Sequence, residues 1–184
     1  MFSFVRSKND PHFLELKEGD VLIQEIDIRF PLKFLKSFFE TKEEALLWLK
    51  EIEKKLCKRR AYFLISKRSY SSILLLKKLE EKGFCFHVCQ EMVQELVRLG
   101  YIQDEDYFTN WIYSEFKKGN GPKMIAWKGK AKGISEAMVR KLITHEMQKE
   151  KIQKIYEKMK KDKKKALQAL YRKGFDLDLL NFFL

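Results

Sequence analysis

The chain has 184 residues, of which 45% are hydrophobic and 14% aromatic, enough for a folded core and too much for global disorder. The chain has only 3 prolines and 8 glycines, and these low numbers favour a mostly helical protein. Three cysteines, an odd number, argue against a disulfide scaffold. No apolar run approaches the ~18 residues that span a bilayer. We therefore expect a soluble, cytoplasmic protein with no secretory leader.

The positive charge is concentrated in one part of the chain. The formal net charge is +12, and the segment from Lys117 to Lys165 holds 17 Lys and Arg residues against 5 Asp and Glu. The remainder holds 21 of each kind and is neutral. A uniformly solvated surface does not need this asymmetry, so we expect a polyanion or an acidic protein surface as the partner.

The N-terminal residues divide into a loose end, a hairpin and a short helix. Residues 1–12 carry no periodic signal and are expected to be a loose end. Residues 13–30 alternate apolar and polar side chains about Glu18-Gly19-Asp20, which predicts a small β-hairpin packed against the helices that follow. Pro31 ends this segment, and Leu32–Phe39 is expected to form a short helix.

A longer helix is predicted directly after Thr41. Thr41 and Glu44 have the capping-box spacing, in which the two side chains satisfy backbone N–H groups at the helix start. An apolar stripe of helical period carries this helix into the fifties. It either runs on to Ile65 or breaks near Arg59-Arg60.

The centre of the chain predicts short helices in a row. Asp104 is placed to cap a helix that ends at Gly119-Asn120-Gly121. Pro122 suits the first position of the next helix because the N–H that proline lacks has no partner there. That helix is predicted to stop at Gly133, after which Ser135 caps a third.

This three-helix unit occurs three times in the sequence. The tripeptides Lys82-Gly83-Phe84, Lys132-Gly133-Ile134 and Lys173-Gly174-Phe175 each close a second helix. Apolar residues recur at equal offsets from each glycine, which is the signature of a helical repeat. Eight positions before the glycine stand Leu75, Ile125 and Ala166. On the third helix the repeated face is Val88, Cys89, Met92 and Val93, then Met138, Val139, Leu142 and Ile143, then Leu179, Leu180, Phe183 and Leu184.

The residues at the helix starts recur as well. Twelve positions before each glycine stands a helix-starting residue, and another set stands two positions after it. The first set is Ser71, Gly121 and Asp162, and the second is Cys85, Ser135 and Asp176.

We therefore predict an all-α fold of tandem three-helix repeats in a curved, elongated array, with a small N-terminal hairpin and helix segment. The predicted segments are 1–53 for the N-terminal part, 54–100 for repeat 1, 101–147 for repeat 2 and 148–184 for repeat 3. The lysine-rich run at 158–165 then lies between two helices and is not a disordered tail.

One ordered set of motifs is shared with a known family. The set is Arg68, Ser71, Leu75, Leu79, Lys82-Gly83-Phe84, Gly100-Tyr101-Ile102, Asp104-Glu105, Gly119, Gly121-Pro122, Ile125 and Lys132-Gly133-Ile134. In this order the motifs resemble the RecX family of recombinase regulators. The similarity is continuous from Arg98 to Ile134 and looser from Ala61 to the C-terminus.

The resemblance implies tandem three-helix repeats, in agreement with the repeat found in the sequence itself. It also implies a non-enzymatic protein that binds the filament of a RecA-type recombinase and inhibits its ATPase and strand-exchange activities. Contact with single- or double-stranded DNA is a secondary implication. The processes concerned are homologous recombination, DNA repair and the SOS response.

Three positions depart from the family pattern. Gln103-Asp104 stands where the family has an acidic pair, Phe108 where it has alanine, and Gly129 where it has leucine. Glycine inside a helix costs roughly 1 kcal/mol relative to alanine. It also removes a core side chain here, so we expect Phe108 or Trp127 to fill the space.

No catalytic constellation is recognisable in the sequence, which has no Gly-rich phosphate loop, no HExxH and no Ser-His-Asp arrangement. Cys85 and Cys89 flank His87. On a helix the two cysteines share a face while the histidine points elsewhere, which disfavours a tetrahedral metal site. We expect buried core cysteines, no metal, no cofactor and no enzyme activity.

Several aromatic residues are candidates either for the core or for stacking on nucleic-acid bases. They are Tyr101, Tyr107, Phe108, Trp111, Tyr113 and Phe116. Their helical spacing favours the core for most of them. Tyr113 and Trp127 lie off the main apolar stripe, so they are the aromatic residues that we expect to be exposed and able to stack.

Lysines are the candidate contact residues for a partner or for DNA. They are Lys117, Lys118, Lys123, Lys128, Lys130, Lys132, Lys158, Lys160, Lys161, Lys163, Lys164 and Lys165. Any single lysine is as well explained by simple solvation, but their concentration favours binding.

Two hypotheses follow for the whole chain. The first is a monomeric regulator that lies along a RecA–DNA filament with its basic stripe facing acidic protein surface and DNA. The alternative is a sequence-independent DNA- or RNA-binding helical protein without a recombinase partner, whose units act like helix-turn-helix modules.

Overall fold

The computed structural model describes residues 1–28, 32, 38–158 and 163–183, without the side chain of Lys163. The chain divides into two compact units, Met1–Ile102 and Gln103–Leu184. The first unit combines a small sheet with three helices, and the second is helical. The predicted fold class is therefore confirmed at the level of a mostly helical protein with a small N-terminal sheet.

Three antiparallel strands form the sheet, in the order β1-β2-β3. They are β1 (Phe2–Arg6), β2 (Phe13–Glu18) and β3 (Val21–Asp27). The predicted hairpin is confirmed as β2 and β3, which turn at Gly19-Asp20. Alternation along β2 directs Leu14 and Leu16 to one face, where both are fully buried.

The expectation of a loose end at residues 1–12 is wrong. Strand β1 pairs with β2 along its whole length. Phe4 is buried, with its ring centroid 5.5 Å from that of Phe39 and 6.0 Å from that of Trp48. Phe2 forms a further bridge to Phe39. A strand this short takes its stability from partners distant in sequence, which local periodicity does not reveal.

The predicted helix at Leu32–Phe39 falls largely outside the described residues, as does Pro31. The residues described at its two ends are not helical. Phe39 instead exchanges two backbone hydrogen bonds of 2.8 Å with Phe2. Its side chain is buried beside Phe4, so tertiary packing determines the local structure here.

Three helices complete the first unit: α1 (Lys42–Ile65), α2 (Ser72–Glu80) and α3 (Phe86–Arg98). The capping box is confirmed, because the Glu44 N–H donates to Thr41 Oγ1 at 3.1 Å. The Glu44 carboxylate accepts from the Glu40 N–H at 2.9 Å, one residue earlier than the motif predicts. α1 does not break near Arg59-Arg60 but runs to Ile65, so the predicted segment boundary at 53–54 lies inside it.

The second unit contains six α-helices and one 3-10 turn within its described residues. They are α4 (Asp104–Lys117), α5 (Pro122–Gly129), the 3-10 turn Lys130–Lys132, α6 (Glu136–Leu142), α7 (His145–Lys158), α8 (Lys163–Arg172) and α9 (Leu177–Asn181). Pro122 and Ser135 stand where predicted, and Ser135 Oγ accepts from the Met138 N–H at 3.2 Å. Asp104 is not the cap of α4, because Gln103 precedes the helix and Asp104 lies in its first turn.

The helix ends recur at equal offsets in the three sets of helices. Gly83, Gly133 and Gly174 have φ angles of 84°, 84° and 83°, so each second helix ends in a left-handed turn. Two residues later, Cys85, Ser135 and Asp176 precede α3, α6 and α9. The predicted cap Asp162 lies outside the described residues.

The turn after α8 lies against the start of α5 with almost no space between the two backbones. The Gly121 N–H donates to the Lys173 carbonyl at 2.7 Å, and the Lys123 N–H donates to the Gly174 carbonyl at 3.1 Å. A Cβ at Gly121 would overlap the backbone of Gly174 and Phe175. Glycine at position 121 is therefore required by this close approach and not by an unusual φ angle.

The space beside Gly129 is filled differently from our expectation. A Cβ there would lie 2.9 Å from Ile134 Cβ and 3.2 Å from Trp111 Cζ3. Ile134 and Trp111 therefore occupy the volume, whereas Trp127 points into solvent. The smaller residue allows closer packing of α5 against α4 and the segment that follows.

Candidate basic interface

The outer face of α5 combines lysine and tryptophan. Ile125 and Gly129 are buried on the inner face of the helix. Lys123, Trp127 and Lys130 lie on the opposite face, at intervals of four and three residues, and all three are exposed. Trp127 is 74% exposed, as predicted. The segment from residue 122 to 132 contains no acidic residue, so this face is uniformly basic.

Two candidate lysines of the second unit are bound to a buried carboxylate. Glu115 lies on α4 with only 7% of its side chain exposed. Its oxygens accept hydrogen bonds from Lys118 Nζ at 2.5 Å, Asn120 Nδ2 at 2.8 Å and Lys128 Nζ at 3.0 Å. The hydrogen bond from Lys118 leads the effects that outweigh burial and hold the pKa of Glu115 below its usual range. Lys118 and Lys128 are therefore held at Glu115, although both side chains remain partly exposed.

Replacing Glu115 by glutamine is expected to lower the free energy of unfolding by about 2 kcal/mol, because two lysines lose their carboxylate partner. The pKa of Glu115 is lower in the folded chain than the ordinary value of 4.5. Its stabilising effect is therefore complete above that value and is lost as pH falls through the folded pKa. Urea unfolding at neutral and acidic pH measures both effects, and Glu115→Gln should remove this part of the acid sensitivity.

Glu136→Gln is the control for that experiment. Glu136 binds Arg140 at 2.8 Å on the surface of α6, with 57% of its side chain exposed. Surface pairs of this kind contribute a few tenths of a kcal/mol. If the two variants lose equal stability, the buried position of Glu115 has no special effect and our interpretation of the cluster is wrong.

The remaining candidate lysines have different surroundings. Lys132 is half-buried with its Nζ 5.6 Å from the ring centroid of Trp111, a cation–π contact. Lys117, Lys158, Lys164 and Lys165 are exposed. Lys160 and Lys161 lie outside the described residues, and so does the side chain of Lys163. The freely exposed lysines beside Trp127 are therefore Lys123 and Lys130.

A second polar cluster, which sequence reasoning missed, surrounds Asp176. Gln148 Nε2 donates to Asp176 Oδ2 at 3.0 Å, and Arg140 Nη1 lies 3.3 Å from the same oxygen. Burial opposes ionisation of Asp176, but the hydrogen bond from Gln148 and the charge of Arg140 prevail and lower its pKa. Asp176 and Arg140, together with Lys123 and His145, line a cavity of about 320 Å³. Gln148 is 28 positions away from Asp176, so no local signal in the sequence links them.

The aromatic residues follow the prediction in part. Phe108 and Phe116 are buried, and Tyr107 and Trp111 are half-buried beside the core of the second unit. Tyr113 is half-buried rather than exposed. Tyr101 is exposed, and its ring meets that of Tyr62 edge-on at 5.5 Å.

The cysteines are free, and they differ from one another in burial. Cys89 is buried as expected, but Cys85 is exposed because it precedes α3 instead of lying within it. Among the described residues, no group of three or more His, Cys, Asp and Glu side chains has a metal-binding arrangement. None of the helices described is both long and apolar enough to cross a membrane.

Comparison with known proteins gives related sequences and folds. No protein-family model matches the chain. The regulatory protein RecX of Legionella pneumophila is 34% identical over 83 residues, covering 45% of this chain and 55% of the relative. The chain thus matches about half the length of that relative. RecX of Caldanaerobacter subterraneus subsp. tengcongensis is 26% identical over 145 residues, covering 75% of this chain and 74% of the relative.

Two solved structures share the fold. RecX from Lactobacillus salivarius superimposes with a TM-score of 0.62 at 20% identity, over 72% of this chain and 95% of that one. A second structure, described as regulatory protein RecX, gives 0.61 at 16% identity, over 100% of this chain and 98% of that one. The chain is therefore a mostly helical protein that is similar in sequence and in fold to proteins named RecX. The chain belongs to the RecX family.

Proposed function

We propose that this chain is a non-enzymatic regulator that binds the filament of a RecA-type recombinase and inhibits its ATPase and strand-exchange activities. Membership of the RecX family is the observation that carries the proposal. The protein would act as a monomer in the cytoplasm, by obstructing filament growth or the motions that accompany ATP turnover. Its relatives are named regulatory proteins, which supports a role without catalysis.

DNA contact is the second part of the proposal. A RecA filament assembles around DNA, so a protein that lies on it meets both acidic protein surface and phosphate. The exposed lysines of the second unit suit either surface because they attract anions without demanding a particular geometry. Trp127 adds a ring that is able to stack on an unpaired base.

We further propose that the three sets of helices are copies of one unit, arranged as a curved array. The left-handed turns at Gly83, Gly133 and Gly174 support this reading, as do the caps two residues later. Leu75, Ile125 and Ala166, eight positions before these glycines, are all fully buried. A repeated unit would present the same surface several times, which suits a filament whose subunits also repeat.

The test of the proposed function is ATP hydrolysis by RecA from the same source on single-stranded DNA, titrated with this protein. We expect inhibition at well below one molecule per RecA subunit, because a protein that obstructs filament growth acts at few positions. Inhibition only when the protein saturates the DNA, relieved by excess free strand, would instead indicate competition for DNA. If the protein does not change the rate of ATP hydrolysis, the proposal that it binds a recombinase is wrong.

Reversing the charge of Lys123 and Lys130 together to glutamate is expected to raise the concentration needed for half-inhibition by about fivefold or more. Loss of two cationic contacts should also flatten its salt dependence, since each phosphate contact contributes roughly one unit to the slope of log K against log salt. Both lysines are exposed, and circular dichroism of the variant checks that the fold is retained.

The control is the double variant Lys8→Glu and Lys77→Glu, which changes the net charge equally. Both of these lysines are exposed and belong to the first unit. Equal weakening by the two double variants would mean that net charge alone matters. Unchanged inhibition by the Lys123 and Lys130 variant would contradict the electrostatic part of the proposal.

The alternative function is sequence-independent binding of DNA or RNA without a recombinase. The positive charge of the second unit supports this alternative as well as it supports the regulation of a recombinase. It predicts tight binding to oligonucleotides together with no effect on the RecA ATPase. The ATPase titration therefore decides between the two.

A further inference from the structure

An apolar groove with a basic rim lies along one face of α1 in the first unit. Its volume is about 730 Å³. The apolar lining residues are Leu32, Trp48, Ile52, Leu56, Phe63 and Phe84, and the basic ones are Lys55, Arg59, Arg60 and Lys82. No acidic side chain of the described chain belongs to this lining. The groove is a different place from the lysines of the second unit.

The groove follows one face of α1, while a different face of the same helix is buried in the core. From Trp48 to Phe63 its lining residues recur at intervals of three or four positions, with Lys55-Leu56 and Arg59-Arg60 as adjacent pairs, so they form one stripe along the helix. At 1.5 Å per residue the stripe is about 22 Å long. Cys57 and Ala61, on another side of α1, are fully buried. Phe63, in contrast, lines the groove and is 51% exposed.

The ion pairs of α1 also lie away from the groove. Lys54 binds Glu91 of α3 at 2.6 Å, and Lys58 binds Glu95 of α3 at 3.1 Å. These contacts hold α1 to α3 and neutralise two of its lysines.

The cations that line the groove lack such partners. Lys55, Arg59 and Lys82 form no ion pair with any acidic residue that the structure describes. The rim therefore carries three cations that are not held in ion pairs by the described residues of the unit.

Arg60 has unused hydrogen-bonding capacity beside the groove. Its guanidinium carbon lies 5.2 Å from the ring centroid of Phe63. Its Nε is shielded from solvent and has no hydrogen-bond partner among the described residues. Buried donors are normally satisfied, and a guanidinium is best satisfied by a carboxylate. The Arg60 guanidinium therefore adds a positive charge to the rim beside the ring of Phe63.

We propose that this groove binds an acidic peptide segment of a partner protein, anchored by a leucine or an aromatic side chain. The apolar floor would take the anchor, and the four rim cations would pair with carboxylates on either side of it. A length of about 22 Å accommodates six or seven extended residues. A nucleic acid is the other occupant that the test below separates, since bases are also able to stack on aromatic side chains. This site goes beyond the proposed function, whose candidate contact residues lie in the second unit.

The test is selection of peptides of about twelve residues, long enough to span the groove, from a random display library against the full chain. We expect the recovered peptides to combine several Asp or Glu residues with a leucine or an aromatic residue. Binding of the synthetic peptides is measured by isothermal titration calorimetry. Arg59→Glu and Phe63→Ser should each weaken binding by about tenfold or more, since they remove a rim charge and a floor contact.

Lys77→Glu is the matched control, because Lys77 is exposed on α2 and does not line the groove. It should leave peptide affinity unchanged, and circular dichroism should show that all three variants fold. Failure to recover any acidic peptide, or affinity that neither groove variant changes, would overturn the proposal. If no peptide is recovered and both groove variants lower the affinity for a dT oligonucleotide, the groove binds nucleic acid instead. Either result leaves the RecA ATPase test of the proposed function unaffected.

Discussion

Gly121→Ala is expected to destabilise the second unit by about 3 kcal/mol, the upper end of the usual range for overpacking. The new Cβ would overlap the backbone of Gly174 and Phe175, and neither backbone has a flexible end that is able to move aside. The hydrogen bond from the Gly121 N–H to the Lys173 carbonyl, now 2.7 Å, would lengthen or break. Chemical unfolding followed by circular dichroism measures the loss.

Gly100→Ala provides the comparison for that variant. Gly100 has a φ of +76°, but no atom lies within 4 Å of the position that its Cβ would take. Alanine there incurs only the conformational cost of a left-handed residue, about 1 kcal/mol. If Gly121→Ala is no more destabilising than Gly100→Ala, the close backbone approach relaxes easily and does not hold the second unit together.

Helix boundaries in this chain could be predicted because they depend on neighbours in sequence. Thr41 and Ser135 were identified as caps from their position before an apolar stripe, and each accepts the expected hydrogen bond. The same holds for Pro122 at the first position of α5. Capping chemistry involves residues within one helical turn, so the sequence contains all the information that it needs.

Strand β1 and the surroundings of Gly129 could not be predicted for the opposite reason. β1 is held by β2 and by Phe39, which are remote along the chain. The space next to Gly129 is occupied partly by Trp111, which lies on a different helix. Local rules suggested neighbours such as Trp127, but helix packing determined which side chain reached the gap.

The surroundings of the candidate lysines also depend on contacts that local sequence rules do not predict. Charge counting selects the segment from Lys117 to Lys165, and it ranks Lys118 and Lys128 equally with Lys123. The structure distinguishes them, because Glu115 forms ion pairs with Lys118 and Lys128 but not with Lys123. Lys128 and Glu115 are 13 positions apart on different helices, so their pairing is a tertiary contact.

The exposed face of α5 leads to a second large expected effect, which depends on the DNA part of the proposed function. Lys123 and Lys130 are seven residues apart, which corresponds to about 10 Å along a helix. Trp127 lies between them on the same face. This spacing allows a base to stack on the indole ring while the lysines approach the neighbouring phosphates of a single strand.

Trp127→Ala is therefore expected to weaken binding to a dT oligonucleotide by about tenfold, within the range typical of one lost base–aromatic stack. Trp127→Phe should retain most of the affinity, because a phenyl ring still stacks. Fluorescence anisotropy of a labelled oligonucleotide gives the affinities. Trp127 is 74% exposed, so neither substitution should disturb the core.

Two controls separate stacking from a general loss of aromatic surface. Phe182 is 77% exposed, and Lys149 Nζ lies 5.3 Å from its ring centroid, so Phe182→Ala removes another aromatic ring that stands beside a lysine. It should leave dT affinity unchanged. An abasic oligonucleotide offers phosphates without bases, and it should bind the native chain and Trp127→Ala equally. If Trp127→Ala weakens the abasic strand as much as dT, the tryptophan does not stack on a base. If Trp127→Ala leaves dT affinity unchanged but impairs RecA inhibition, the ring belongs to the protein contact instead.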